Sequence, residues 1–108
     1  LKNRKSVFAI KAVGASMNQA NINGRNIEDG DYVIIDATDK NVTSNDYVLS
    51  VIDEMANIKK IIIDHQNSQV CLVSESSHQY PPIYIHESEA SKYFVSGKVI
   101  QVIKQANI

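Results

Sequence analysis

An all-β or β-rich domain is what this sequence predicts, and three observations carry the prediction. Most apolar residues fall in short runs rich in Val, Ile, Tyr and Phe. Each run is bounded by residues that reverse the chain, such as Asn23-Gly24, Glu28-Asp29-Gly30-Asp31, Thr43-Ser44-Asn45-Asp46 and Pro81-Pro82. No segment sustains a helical period long enough to form a helix of ordinary length.

Taken in chain order, the runs predict strands at Val7 to Val13, Tyr32 to Asp36, Tyr47 to Ile52, Asn57 to Asp64, Gln69 to Val73, Ile83 to His86 and Tyr93 to Ile103. Gly30 is the turn residue expected to supply a positive φ. Ser16 to Asn21 suits a short helical turn, and Glu87 to Ser91 is the other segment with any helical character. There is no internal repeat and no low-complexity segment.

The chain of 108 residues is 44% hydrophobic and 21% charged, which fits one globular domain. It opens on a polar, basic stretch, so residues 1–6 are read as the end of a linker and 7–108 as the domain, a fragment of a longer protein. Eleven Lys and Arg against twelve Asp and Glu give a net charge of -1. With no basic stripe interleaved with aromatics, DNA contact is expected through an upstream domain and not through this segment. The single cysteine, Cys71, excludes an internal disulfide, reads as a buried strand residue and favours a cytoplasmic setting. No apolar run approaches the ~18 residues that span a bilayer, so no membrane partner is expected. His65, His78 and His86 lack metal-ligand spacing and no phosphate-binding glycine loop is present, so neither metal nor cofactor is expected.

Among eleven serines, Ser16 stands apart by its setting. It follows a predicted strand in Val13-Gly14-Ala15-Ser16-Met17, where small residues let backbone N–H groups approach a substrate carbonyl. The same residues also suit a tight turn leading into a helix capped by Ser16. In Ile58-Lys59-Lys60-Ile61-Ile62-Ile63 two lysines interrupt an apolar strand, Lys59 sharing a face with Ile61 and Ile63, and Lys60 with Ile58 and Ile62. Periodicity does not choose which points inward. A lysine held among apolar residues loses hydration, its pKa falls, and the neutral amine can take a proton from a serine. The alternative, and the commoner case for adjacent lysines, is that both snorkel to solvent from an edge strand.

The order Gly14-Ala15-Ser16-Met17, then Asp29-Gly30-Asp31, then Ile58-Lys59-Lys60-Ile61 resembles the LexA and UmuD family of Ser-Lys self-cleaving peptidases. Ser74-Glu75-Ser76-Ser77 through Pro82-Ile83, and Gly97-Lys98-Val99-Ile100-Gln101-Val102-Ile103-Lys104, look like that family's closing segments. The resemblance runs from Val7 to Lys104. It implies a compact domain of curled, mostly antiparallel sheets, a partial barrel, pairing as a homodimer through its carboxy-terminal strands. It implies Ser16 as nucleophile, Lys59 as general base, and the backbone N–H groups of Ala15 and Ser16 as the oxyanion hole. The implied function is the peptidase-like domain of a bacterial or prophage repressor, which dimerises it and cuts its own upstream linker when a recombinase filament binds. A UmuD-like polymerase accessory subunit and a non-cleaving dimerisation domain are the alternatives. The segment Asn18 to Asp29 is longer than its LexA counterpart, Ser76 stands where the family usually has Asn, and the scissile Ala-Gly or Cys-Gly bond is absent from these residues.

Overall fold

The computed structural model describes residues 6–39, 41–52, 54–86, 88–89 and 95–105. Seven strands form one antiparallel sheet curled into a half-barrel: β1 (Val7–Lys11), β2 (Tyr32–Asp36), β3 (Tyr47–Ile52), β4 (Met55–Asp64), β5 (Gln69–Val73), β6 (Ile83–His86) and β7 (Gly97–Ile103). Their spatial order is β1-β2-β7-β3-β4-β5-β6. The all-β expectation therefore holds, and four of the seven strands have the predicted limits.

The other three differ for local reasons. β1 stops at Lys11 because the chain swings outward through the largely exposed Val13 into Gly14, whose φ of +88° leaves the extended region. β4 begins two residues earlier than predicted, since Ile52 still pairs with Met55 beside the hairpin turn at Glu54. Met55 is exposed, and hydropathy carries no signal for a paired residue that faces solvent. β7 begins at Gly97, while Tyr93 and Phe94 lie outside the described residues. The Glu87 to Ser91 segment also lies largely outside them. The helical turn expected at Ser16 to Asn21 is a pair of three-residue-spaced turns, Asn18 N–H to Ala15 O and Ala20 N–H to Met17 O, and not a helix. Burial of Met17, Ala20 and Ile22 pulls that segment onto the sheet before a helix can propagate.

β3 shows how the curled sheet makes two cores. Leu49 joins Met17, Ala20, Ile22, Ile27, Val33, Ile35 and Val102 on one face. Its neighbour Val48 joins Ile61, Val70 and Leu72 on the other, as alternation along a strand requires. β7 lies between β2 and β3 and pairs with β3 at Gly97 and Lys98; Val102 is buried and Val99 packs against the first core, while Ile103 and its cross-strand partner Tyr32 stay exposed. Opposite Ile34 and Ile35, β7 carries a bulge in which Ile100 is the extra residue. The long Asn18 to Asp29 segment docks there: Asn23 Nδ2 donates to Ile100 O and Arg25 Nη1 donates to Val102 O at 2.7 Å. A tight Asn23-Gly24 reversal with both φ positive closes that loop. Gly97 is required by contact, since a Cβ there would lie 2.6 Å from Ile35 Cγ2 and 2.8 Å from Asp36 O.

Asp31 fastens the far end of the chain. Its buried carboxylate accepts from Lys104 Nζ, from Gln105 N–H at 2.9 Å and from Glu28 N–H at 2.8 Å. Burial pushes its pKa upward, but the Lys104 and backbone hydrogen bonds prevail and hold it below the usual carboxylate value. Its stabilising contribution is thus complete above the unfolded-state pKa and disappears as pH falls through the lower folded value. Asp31→Ala should lose about 1–3 kcal/mol at pH 7, the cost of orphaned buried donors. Urea melts at pH 7 and pH 3 should show that deficit narrowing in acid.

Candidate active site

The turn carrying Ser16 is held from two sides. Asp29 Oδ1 accepts from Gly14 N–H at 2.8 Å, and Ala12 exchanges backbone hydrogen bonds with Gly30 and Asp31. Gly30 takes a φ of +93°, as expected of that turn. On the other side the chain leaving β5 runs along the turn. Gln19 N–H donates to Glu75 O at 2.8 Å, Glu75 N–H points at Met17 Sδ, and Ser76 Oγ donates to Ala15 O at 2.6 Å. Asn18 and Ser77 exchange a pair of hydrogen bonds, each 2.9 Å. Among the described residues, no protein acceptor takes the N–H of Ala15 or of Ser16. Ser16, half-buried, lines a cleft of about 180 Å³ with Ile10 to Gly14, Met17, Ile27 and Ala56 to Ile58.

β4 settles which lysine points inward. Lys59 is 8% exposed and lies opposite Val48, on the face that holds Ile61. Desolvation lowers its pKa below the usual lysine value. Its Nζ donates to Ser74 Oγ at 2.7 Å and stands 5.9 Å from the Tyr80 ring centroid. Ser74 lies one residue past β5, and since Lys60 pairs with Val73, the same register carried one step further places Ser74 beside Lys59. The described residues show no hydrogen bond between Lys59 and Ser16.

Lys60 points the other way and has a different chemistry. Its Nζ meets Glu75 Oε2 at 3.0 Å, and the hydrogen bond and charge of that carboxylate raise its pKa. Glu75 also accepts from Tyr47 OH, while Tyr47 accepts from Asn21 N–H at 3.0 Å. Burial and the Glu75 carboxylate push the Tyr47 hydroxyl up. Two adjacent lysines are thus shifted in opposite directions, one by loss of water and one by gain of a carboxylate.

Sequence reasoning brought out Ser16, Lys59 and the turn of Ala15. It assigned no role to Ser74, Glu75, Ser76 or Ser77, the residues that join the serine's turn to the lysine's strand. Their signals were the resemblance of Ser74-Glu75-Ser76-Ser77 to a family segment and the cluster of polar side chains directly after an apolar strand. The substitution of Ser76 for the family's usual Asn still leaves a side chain that bridges to Ala15 O. Cys71, expected to be buried, is half-buried, and burial raises its pKa, which disfavours the reactive thiolate. Among the described residues no cluster of His, Cys, Asp or Glu could hold a metal ion, and no helix is long and apolar enough to cross a membrane.

The profile of the Peptidase S24-like family matches residues 1–100. The chain belongs to that family. A comparison with curated proteins returned no match. In this Peptidase S24-like domain the serine's turn and the inward lysine both lie within the matched segment.

A buried amine whose charged form is disfavoured by lost hydration opposes folding while it is protonated. Because the folded pKa of Lys59 is lowered, that cost is fully present below the folded value and vanishes as pH rises past the unfolded value of 10.5. Lys59→Met should therefore gain most in stability over the parent at neutral pH, and the gain should shrink towards pH 10.5. Urea titrations at pH 7 and pH 10 would check this, and an advantage growing with pH would contradict it.

Proposed function

We propose that this domain is a self-cleaving serine peptidase in which Ser16 is the nucleophile and Lys59 its general base. The observation that carries the reading is the inward Lys59 amine, desolvated on β4 at the point where the chain leaving β5 is hydrogen-bonded to the turn of Ser16.

Neutral Lys59 Nζ takes the proton of Ser16 Oγ as the oxygen attacks the scissile carbonyl carbon. The resulting oxyanion is received by the unclaimed N–H groups of Ala15 and Ser16. Lys59 then returns the proton to the leaving amine as the carbon–nitrogen bond breaks and an acyl-serine ester forms. Water, deprotonated by the same amine, hydrolyses that ester and frees Ser16. The substrate is an extended linker preceding the domain, entering the cleft between the end of β1 and the start of β4.

In the biological setting we infer, a bacterial or prophage repressor is dimerised by this domain and binds DNA through an upstream domain. A recombinase filament acts by favouring the cleavage-competent arrangement, without contributing a chemical group. The protein works in the cytoplasm, and its self-association uses the exposed Tyr32 and Ile103 side of the β2–β7 pair. The missing hydrogen bond between Lys59 and Ser16 fits a domain resting outside its cleaving arrangement. It also favours the second reading, a domain that dimerises a DNA-binding regulator without cutting it.

Self-cleavage of the protein carrying its linker should accelerate as pH rises through the lowered pKa of Lys59, because only the neutral amine accepts the proton. Ser16→Ala and Lys59→Ala should each abolish it while the β-rich circular dichroism spectrum persists. Gel analysis over days at pH 10, with and without an activated recombinase filament, tests the reading. Protein that stays intact under both conditions would establish the non-cleaving reading instead. Sedimentation at tens of micromolar should show a dimer that Tyr32→Glu weakens, and a purely monomeric parent would count against the dimer.

A further inference from the structure

Lys59 has a polar partner that the dyad does not use. Its amine donates to Ser74 Oγ at 2.7 Å, within the range of a charge-assisted hydrogen bond. We propose that Ser74 is a positioning residue, whose hydroxyl fixes the Lys59 amine so that its remaining valence is presented to the turn of Ser16. The proposal rests on the Ser16–Lys59 reading and deepens it.

A lysine amine ends four rotatable bonds, and a neutral amine has one lone pair to offer. Burial restricts where the nitrogen lies but not how it is turned about the Cε–Nζ bond. A hydroxyl at fixed position removes that freedom, and Ser74 is fixed. Its own location follows from the register of β4 and β5, and the next residue, Glu75, is held to Gln19 N–H and to Met17 Sδ. Met17 directly follows Ser16. Base and nucleophile are thereby referred to one another through Ser74, Glu75 and Met17, without the two having to touch in the resting protein. Ser50, whose buried Oγ has no hydrogen-bond partner among the described residues, pairs across β3 and β4 with Asn57 and does not take this part.

Ser74 is poorly placed to be the nucleophile itself. The N–H that follows it is already directed at Met17 Sδ, whereas the N–H groups at Ala15 and Ser16 are unclaimed. Its role is to hold the amine, and that role has a signature that a purely structural contact lacks. Removing an acceptor from a buried ammonium disfavours the charged form further, so the pH midpoint of cleavage should move down even as the maximal rate falls.

The test has two parts. In the protein carrying its linker, Ser74→Ala should lower the plateau rate of self-cleavage roughly 10- to 100-fold, the usual cost of a misplaced catalytic group, with the midpoint at lower pH. Ser74→Thr should restore both, and its isostere Ser74→Val should behave as Ala. A Ser74→Ala rate equal to or above the parent would overturn the proposal. So would complete loss accompanied, in the parent, by fluorophosphonate labelling at Ser74 in place of Ser16. The second part needs no cleavage: in Ser16→Ala protein, the Lys59 side-chain carbon resonance is titrated by NMR with and without Ser74→Val. An unmoved Lys59 titration would sink the Ser74 proposal alone, while a Lys59 titrating at the ordinary lysine value with Ser74 intact would sink the dyad reading beneath it.

Discussion

The hydrogen bonds between the chain leaving β5 and the turn at Ala15 to Gln19 are the constraint on which the rest of the site depends. Through them a loop from the amino-terminal third of the chain is fixed to a strand pair from its middle. Nothing in β1 or β2 pairs with β4 or β5; the sheet separates them by β7 and β3. Without Gln19 to Glu75 O, Ser76 to Ala15 O and the Asn18–Ser77 exchange, the position of Ser16 relative to Lys59 would be set by packing, by the Asn21–Tyr47 hydrogen bond and by the longer route through the sheet. Packing alone specifies positions less sharply than directional bonds at defined atoms.

Polar residues achieve this because each has a defined partner. Glu75 accepts Tyr47 OH and Lys60 Nζ with its side chain and Gln19 N–H with its carbonyl. The charge of Lys60 is thereby retained and applied to the scaffold. Among the described residues the neighbouring Lys59 has no carboxylate partner and receives a neutral hydroxyl, which satisfies a donor without stabilising the ammonium as an anion would. This difference in partners separates a structural lysine from one suited to proton transfer.

Much of the fold could be read in the sequence, because β-strands announce themselves through alternation and through the turns between them. β2, β3, β5 and β6 were legible to the residue for that reason. The ends of β1 and β4 were not, since Ala12 and Val13 look like strand residues while the backbone is already turning, and Met55 and Ala56 pair without burying anything. The small neighbours of Ser16 suited a plain turn as well as a nucleophile, and the resemblance alone singled the residue out. The inward direction of Lys59 was not legible, because both lysines have isoleucines two residues away, and only the opposing Val48 and the buried Ile61 break the symmetry. Ser74 was invisible for a simpler reason: a serine's hydroxyl acquires meaning from what lies across the strand, which one-dimensional spacing does not reveal.

The adjacency of Lys59 and Lys60 makes the identity of the inward lysine a property of strand register. β3 and β4 are joined by a tight hairpin with Glu54 at a positive φ, and Ile52 pairs with Met55 immediately beside it. A one-residue insertion there that shifted β4 against β3 would exchange its faces. Lys60 would take the place of Lys59 opposite Val48, and Lys59 that of Ile58 opposite Leu49. One lysine would then stand in for the other on the apolar side, leaving composition, charge and strand content almost untouched. The isoleucines guard against this, because the same slip would withdraw Ile61 from its core cluster and turn Ile58 away from the other. Fidelity of the amine's placement is therefore inherited from the hydrophobic residues that flank it.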